Sequence, residues 1–166
     1  MSKTMRAARL HEPDTPFRID EISVPEPGPG DAVIAVEACG IVPNMRNIVK
    51  GGHWRTLPEL PAVMGLDTAG VIAGLGSSVS GLAKGDRVYI NPALSCGVCE
   101  YCRRGASPLN CEQGGLQGYF GFRPQSASML ARYPYGGFAE YTLAPARNLV
   151  KLTSAVSSEA GARARG

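Results

Sequence analysis

The sequence predicts a mainly β domain, folded as a twisted, partly open barrel with short helices and one cysteine-rich excursion. Short segments that alternate apolar and polar residues recur along the chain, whereas no long stretch has helical periodicity. Glycine and proline number 21 and 13 among 166 residues, well above the roughly 12% of average usage, and this excess favours many turns. Four of the five cysteines fall between positions 96 and 111, so one segment has a composition of its own.

The strand candidates share period-two alternation or a run of β-branched residues, and glycine, proline or polar clusters bound them. Segment 25–30, Pro-Glu-Pro-Gly-Pro-Gly, is a rigid connector that can be neither helix nor central strand. Residues 32–39 alternate so that Val33 and Ile34 face opposite sides of the predicted sheet. In chain order, the strand candidates are residues 5–10, 17–22, 32–39, 68–74, 87–90, 138–144 and 148–152.

Three further segments are predicted to form other structures. Residues 44–50 form one or two helical turns that end at Gly51. Residues 114–135 are polar and rich in glycine, which predicts a long surface loop. Residues 157–166 lose the strand pattern and can begin a helix with Ser157 or Ser158 as its N-cap.

The clustered cysteines are spaced C-x2-C-x2-C-x8-C, which brings four thiolates within reach of one ion. Each C-x2-C turn presents two sulfurs from the same side, and Gly97 supplies the backbone freedom of a tight turn. Four thiolates fill the tetrahedral shell of Zn²⁺ and leave no open position, so such a site is structural rather than catalytic. The predicted ligands of this one structural zinc ion are Cys96, Cys99, Cys102 and Cys111.

Disulfides and free buried thiols are the two alternatives for these cysteines. Disulfides need an oxidising compartment, and residues 1–6 are not followed by an apolar signal core. We therefore favour zinc and expect a cytoplasmic protein. Arg103 and Arg104 can offset part of the negative charge of a four-thiolate site.

Charge and hydropathy argue against two classes of partner. The formal net charge is +3, which is too small to indicate nucleic acid, and no basic stripe with interleaved aromatic residues is present. No apolar run approaches the roughly 18 residues of a membrane span. Neither nucleic acid nor a membrane is therefore an expected partner.

Seven short segments occur in a specific order and spacing, although each is weak alone: 25–31 (PEPGPGD), 37–40 (EACG), 50–51 (KG), 65–71 (GLDTAGV), 85–88 (GDRV), 96–111 and 136–141 (GGFAEY). Together they resemble the N-terminal GroES-like domain of the medium-chain dehydrogenase/reductase superfamily, in particular of the zinc-dependent alcohol dehydrogenases. The resemblance covers roughly residues 5–152. The cysteine lobe resembles the structural zinc site of that family, with a last gap one residue longer than the commonest form.

The resemblance also implies a domain organisation. Residues 1–155 form the GroES-like domain, with the zinc lobe at about 94–114, and residues 156–166 are a tail or the start of a connecting helix. The Rossmann domain of the family is expected to be absent, because no Gly-x-Gly-x-x-Gly stands at a strand-to-helix turn. The close glycines of segment 70–76 continue a strand into a turn. NAD(P) is therefore expected only in a longer form that carries a Rossmann domain.

The chain departs from the family at the catalytic zinc. The family reads Cys-Gly-x-Cys-His-Thr-Asp, where the second Cys binds zinc and the Thr relays a proton, and Val42 and Asn44 occupy those two positions here. The family's Gly-His-Glu becomes Gly65-Leu66-Asp67, so Leu66 replaces the histidine ligand. One carboxylate beside two aliphatic residues cannot hold Zn²⁺, which takes at least three protein ligands in a catalytic site. The resemblance thus implies that the catalytic zinc site is lost.

Asn44 and Asp67 are the candidate catalytic residues, and each has a structural alternative. Asn44 can cap the short helix that follows it. Asp67 can pair with Arg46, Arg55 or the backbone. Cys39 matches the first, non-ligating cysteine of the family motif, and we expect a buried thiol that behaves as a small apolar group.

Two functions from different classes follow. The first is a zinc-binding, alcohol dehydrogenase-like oxidoreductase, represented by its GroES-like domain, which binds a small-molecule substrate. Its family transfers hydride between NAD(P) and a small carbonyl, alcohol, quinone or enone. The alternative is a non-catalytic, zinc-stabilised binding or scaffold module. The sequence leaves open whether this chain is itself an enzyme and whether it forms a homo-oligomer.

Overall fold

The computed structural model describes residues 3–51 and 56–163, and it confirms the mainly β fold class. The α-helices in the described residues are short, at four to six residues each. The elements, in chain order, are β1 (Thr4–Leu10), β2 (Arg18–Ser23), β3 (Asp31–Gly40), α1 (Met45–Val49), β4 (Ala62–Val63), β5 (Asp67–Leu75), β6 (Arg87–Ile90), β7 (Ala93–Leu94), α2 (Glu100–Arg103), β8 (Gly115–Leu116), β9 (Phe120–Gly121), α3 (Ala127–Arg132), β10 (Tyr141–Pro145), β11 (Leu149–Lys151) and α4 (Ser158–Gly161).

An antiparallel sheet of five strands, in the order β10-β3-β5-β6-β11, forms the body of the domain. Strands β10 and β11 lie at opposite edges, yet only a short 3-10 helix, Ala146–Asn148, separates them along the chain. Four residue steps reach at most about 14 Å, whereas the edges of a flat five-stranded sheet lie about 19 Å apart. The sheet therefore curls until its edges approach each other, which gives the partly open barrel.

Two smaller three-stranded sheets flank the barrel. One has the order β2-β1-β4, and the other has the order β7-β8-β9 and adjoins the cysteine lobe. Residues 138–140 connect the first of these to the barrel, because the Ala8 N–H donates to the Phe138 carbonyl at 2.8 Å and the Glu140 N–H donates to the Arg6 carbonyl at 3.0 Å. The strand predicted at residues 138–144 consequently begins only at Tyr141.

The first half of β3 is buried on both faces. Ile34 packs in one cluster with Ile72 and Val88, whereas Val33 packs in another with Leu94. These adjacent residues therefore point to opposite sides, as the alternation predicts. Register shifts against β5 interrupt the pairing after residues 33 and 36, and such bulges increase the bend that a curled sheet needs.

The prediction of a surface loop at residues 114–135 is wrong. The segment contains β8, β9 and α3, and Tyr119 within it is only 4% exposed. Its polar residues brace the interior: the buried amide of Gln117 donates to the Leu143 carbonyl at 2.6 Å. Its glycines permit close packing, since a Cβ on Gly121 would lie 2.2 Å from the Cβ of Ser126. Two of its polar residues, Gln117 and Ser126, are buried and form internal hydrogen bonds, which composition alone does not reveal.

The last described residues pack onto the barrel. Ser157 is the N-cap of α4, and its side chain accepts a hydrogen bond from the Ala160 N–H at 3.2 Å, which confirms one of the two predicted caps. Gly161 and Ala162 are buried, and α4 contacts β3, β5 and β6. Residues 164–166 of the predicted helix lie outside the described part of the chain. Across residues 3–51 and 56–163, the helices lack the length and apolar character that crossing a bilayer requires.

Candidate metal centre and adjoining groove

Short local structures bring the four clustered cysteines together. Cys96 follows β7, and Gly97 turns the chain with a φ of +77°. Cys99 is the N-cap of α2, which carries Cys102, and Cys111 ends a 3-10 helix at Pro108–Asn110. All four sulfur atoms lie within 4.8 Å of one another, and among the described residues this is the one group of three or more metal-ligating side chains that converges in this way.

The sulfur separations fit a tetrahedral ion. The Sγ atoms of Cys96 and Cys102 are 4.0 Å apart, as are those of Cys99 and Cys111. A tetrahedral ion with Zn–S bonds of about 2.3 Å places its ligands about 3.8 Å apart, whereas a disulfide requires about 2.05 Å. All four cysteines are free thiols, so the geometry suits zinc and excludes disulfides in this structure. Zinc ligation itself remains a prediction.

Backbone N–H groups are directed at the sulfurs. The Cys96 N–H donates to the Cys111 Sγ at 3.2 Å, and the Cys99 N–H donates to the Cys96 Sγ at 3.3 Å. A backbone hydrogen bond from Glu112 is the main cause that lowers the pKa of Cys99 to about 6. Burial raises the pKa of Cys111 to about 12, so its thiol must lose a proton when a metal binds.

Arg123 anchors the end of the cysteine lobe, a role that no motif in the sequence indicates. Its Nη1 donates to the Cys111 carbonyl at 2.6 Å and to the Asn110 carbonyl at 3.2 Å. By contrast, Arg104, predicted to offset the thiolate charge, pairs with Glu100 at 2.5 Å on the surface. The guanidinium that braces the lobe thus comes from outside it.

The two aliphatic residues at the predicted catalytic positions meet in one apolar region. Val42 and Leu66 pack against the same cluster, which includes Met45 and Met64. Val42 also lines an open groove along α1. Neither side chain offers a metal ligand, so of the three positions considered only Asp67 carries a ligand oxygen.

Asp67 is buried, at 4% exposure, and its Oδ1 accepts a hydrogen bond of 3.1 Å from the Tyr89 hydroxyl. No ion pair with Arg46 is present, and Arg55 lies outside the described residues. Tyr89 is thus a partner that the sequence analysis missed. It lies on β6, beside β5, where the register pairs Ala69 with Tyr89.

Asn44 is exposed and stands at the N-cap of α1, but its side chain makes no capping hydrogen bond. Instead, its Oδ1 accepts from the Asn47 amide at 2.7 Å. The structural alternative of a helix cap is therefore wrong. Both amides lie on the surface, on residues that adjoin the groove-lining Pro43 and Arg46 in the chain.

Cys39 lies apart from the metal centre. Its thiol is half-buried and accepts a hydrogen bond from the Thr68 hydroxyl at 3.6 Å. Burial is the main cause that raises the pKa of Cys39 to about 11. A Cβ on Gly137 would lie 2.5 Å from its sulfur. The thiol is therefore neutral and tightly packed at neutral pH, in line with the apolar role expected from the sequence.

Comparisons with known proteins identify the family and the fold to which this chain is similar. Residues 28–154 match the model of the alcohol dehydrogenase GroES-like domain family. The chain is 35% identical over 160 residues to L-threonine 3-dehydrogenase of Deinococcus radiodurans, covering 95% of this chain and 42% of that protein. It is 30% identical to a cobalt- and zinc-bound thermostable alcohol dehydrogenase of Pyrobaculum aerophilum, with a TM-score of 0.79 over 98% of this chain and 45% of that one.

A third similar protein is an alcohol dehydrogenase of Escherichia coli in complex with NADH. Its structure is 28% identical, with a TM-score of 0.78 over 98% of this chain and 42% of that one. The chain spans less than half the length of each of these three proteins. The similarity therefore concerns one part of each relative.

Proposed function

We propose a function for this chain from one premise: it belongs to the alcohol dehydrogenase GroES-like domain family. Its relatives are zinc-containing alcohol and threonine dehydrogenases of the medium-chain dehydrogenase/reductase superfamily, which act on small molecules. The chain is the substrate-binding domain of such an oxidoreductase. Residues 1–155 form this domain, and residues 156–166 begin the connection to a nucleotide-binding domain in a longer form.

The cysteine lobe holds one structural zinc ion through Cys96, Cys99, Cys102 and Cys111. The sulfur separations of 4.0 Å support this assignment. Four thiolates leave no position for water or substrate, so the ion stabilises the lobe and takes no part in the reaction.

The catalytic zinc site is lost, and one observation carries this conclusion. The two positions that should supply ligands are Val42 and Leu66, packed against one apolar cluster, while the remaining carboxylate, Asp67, is buried against Tyr89. A metal ion promotes alcohol oxidation by stabilising the alkoxide. Without one, reduction of an acceptor that is already activated, such as a quinone or an enone, is the favoured reaction.

The residues of this chain then act by binding and polarising the acceptor. A nicotinamide dinucleotide bound by the nucleotide-binding domain would supply the hydride. As the hydride adds to carbon, the π electrons of the acceptor move to its oxygen, which later takes a proton from solvent. Asn44 lies exposed beside the groove, and its amide can donate a hydrogen bond to that oxygen. Val42 forms part of the apolar wall that holds the substrate.

An assay of the longest product of the gene tests this proposal. With NADH or NADPH, benzoquinone and cyclohexenone should be reduced at rates that a zinc chelator such as phenanthroline does not change on the time scale of turnover. Ethanol and L-threonine should be oxidised poorly. Strong oxidation of ethanol or L-threonine that the chelator abolishes would show that a catalytic metal is present and that the proposal is wrong.

A further inference from the structure

We infer that the groove beside Val42 binds an amphipathic carboxylic acid, with Arg46 as the partner of its carboxylate. The inference rests on the proposed function, which makes this groove the substrate site. It goes further by naming the substrate class: an apolar acyl or aryl body that carries one carboxylate.

The walls of the groove are largely apolar. It has a volume of about 510 Å³ and is open along one side. Ile41 is 81% exposed at the edge of the groove. Burial of this isoleucine under a ligand would be favourable. Phe17 and Phe138 meet edge to face, with ring centroids 5.9 Å apart. The apolar lining consists mainly of Phe17, Ile41, Val42, Met45, Val49 and Phe138.

Three charged residues line the same groove: Asp14, Arg46 and Lys50. Arg46 and Lys50 are four positions apart, and residues at this spacing lie on one side of a helix. The Lys50 N–H donates to the Arg46 carbonyl at 3.1 Å, so the helical spacing is preserved at this point. Within the described residues neither side chain forms an ion pair. Both cations can therefore bind an anion from solution.

The position of Asp14 distinguishes the surroundings of Arg46 from those of Lys50. Its N–H donates to the Val49 carbonyl at 2.7 Å, which places Asp14 at the C-terminal end of α1, where Lys50 lies. Arg46 is one helical turn nearer to Val42, and its N–H donates to the Pro43 carbonyl at 3.4 Å. Of these two cations, Arg46 is thus the one nearer to Val42 along the helix, and Asp14 lies at the other end of the helix.

A guanidinium beside an apolar wall selects one kind of small molecule. Arginine binds a carboxylate through two parallel N–H groups, which fixes orientation as well as affinity. The apolar body of the same molecule would cover Ile41 and Val42. A neutral molecule of the same shape would fill the walls but leave Arg46 without a partner.

Calorimetric titration of the chain with octanoate and with octanamide tests the inference. The two probes share one apolar chain and differ in charge. Octanoate should bind in the millimolar range or tighter, and about tenfold tighter than octanamide, since a charge-assisted pair contributes more than a neutral contact. The variant Arg46→Gln should lose that tenfold preference, whereas Arg46→Lys should retain part of it.

Two variants serve as controls. Lys84→Gln removes one positive charge from an exposed turn far along the sequence, and it should leave the preference unchanged. Asp14→Asn removes the acidic residue of the groove, and octanoate affinity should not fall. Circular dichroism and metal content of each variant establish that the domain is folded.

Several outcomes would overturn the inference: equal affinity for the two probes, no octanoate binding in the millimolar range, or an unchanged preference in Arg46→Gln. Pyrophosphate and NADPH test the other source of an anion, because tighter binding of either one through Arg46 would assign the residue to a phosphate instead. These titrations need neither hydride transfer nor a second metal. They can therefore fail while the proposed function stands, or succeed while it fails.

Discussion

The hydroxyl of Tyr89 donates a hydrogen bond of 3.1 Å to Oδ1 of Asp67, and both residues are buried on neighbouring strands of the barrel. The Tyr89 hydroxyl satisfies part of the hydrogen-bonding capacity of this buried carboxylate. A buried carboxylate that loses a donor bears a desolvation penalty.

Replacement of Tyr89 by phenylalanine should therefore destabilise the domain. We expect the free energy of unfolding to fall by about 1–3 kcal/mol, because a buried acceptor loses a partner. Urea denaturation followed by circular dichroism measures the change. In a double-mutant cycle with Asp67→Asn, the two effects should not add. Additive effects would show that the hydrogen bond contributes little to stability.

Cys39 predicts a pH dependence of stability. Its pKa is raised from 9.0 to about 11, chiefly by burial, so above pH 9 the unfolded state loses its proton first. The stabilisation is complete below pH 9 and is lost as the pH rises through 11, by about 3 kcal/mol in all. Between pH 8 and 11, the free energy of unfolding should fall less steeply with pH for Cys39→Ala than for the unmodified chain. Parallel curves would contradict the burial of this thiol.

Arg123 should control how firmly the cysteine lobe is closed. Arg123→Ala removes the hydrogen bonds to the Cys111 and Asn110 carbonyls. The free energy of unfolding should fall by about 1 kcal/mol as a result. Zinc should then transfer faster to a chromogenic chelator. Arg104→Ala is the matched control, since it removes an arginine of the lobe that pairs with Glu100 on the surface. Equal release rates in the two variants would show that Arg123 has no specific role in the retention of zinc.

The proposed loss of the catalytic zinc site can be tested by restoring its ligands. The double variant Val42→Cys and Leu66→His should bind a second equivalent of cobalt(II), because Asp67 would then complete three protein ligands. Val42→Ala with Leu66→Ala is the matched control and should bind no additional metal. If the restored variant also takes up no second ion at millimolar cobalt, these positions do not face one site.

The strands of the barrel were predictable because their signal is local. Segments 68–74 and 87–90 carry their own alternation or apolar runs, and they form most of β5 and all of β6. Segment 114–135 was not predictable in this way, because its buried polar residues donate hydrogen bonds to partners elsewhere in the chain. Gln117, for example, donates to the carbonyl of Leu143, 26 residues away. Composition alone cannot distinguish such a residue from an exposed one.

The candidate sites also differ in whether a local sequence pattern marks their residues. The spacing of the four cysteines predicts a shared site, and in the structure their sulfur atoms lie within 4.8 Å of one another. The Tyr89 hydroxyl and Arg123 have no motif, since each reaches its partner through the pairing of strands or the return of a long segment. Such partners depend on the three-dimensional arrangement rather than on any short pattern.

Cobalt(II) titration of the metal-free chain measures how many metal ions the domain holds and through which ligands. One equivalent should bind per chain, with the intense sulfur-to-cobalt absorption of a four-thiolate site. Cys102→Ser should weaken both the binding and the absorption. Saturation at two equivalents, a first equivalent without thiolate absorption, or full metal retention by Cys102→Ser would contradict a domain that holds one structural zinc and has lost its catalytic one.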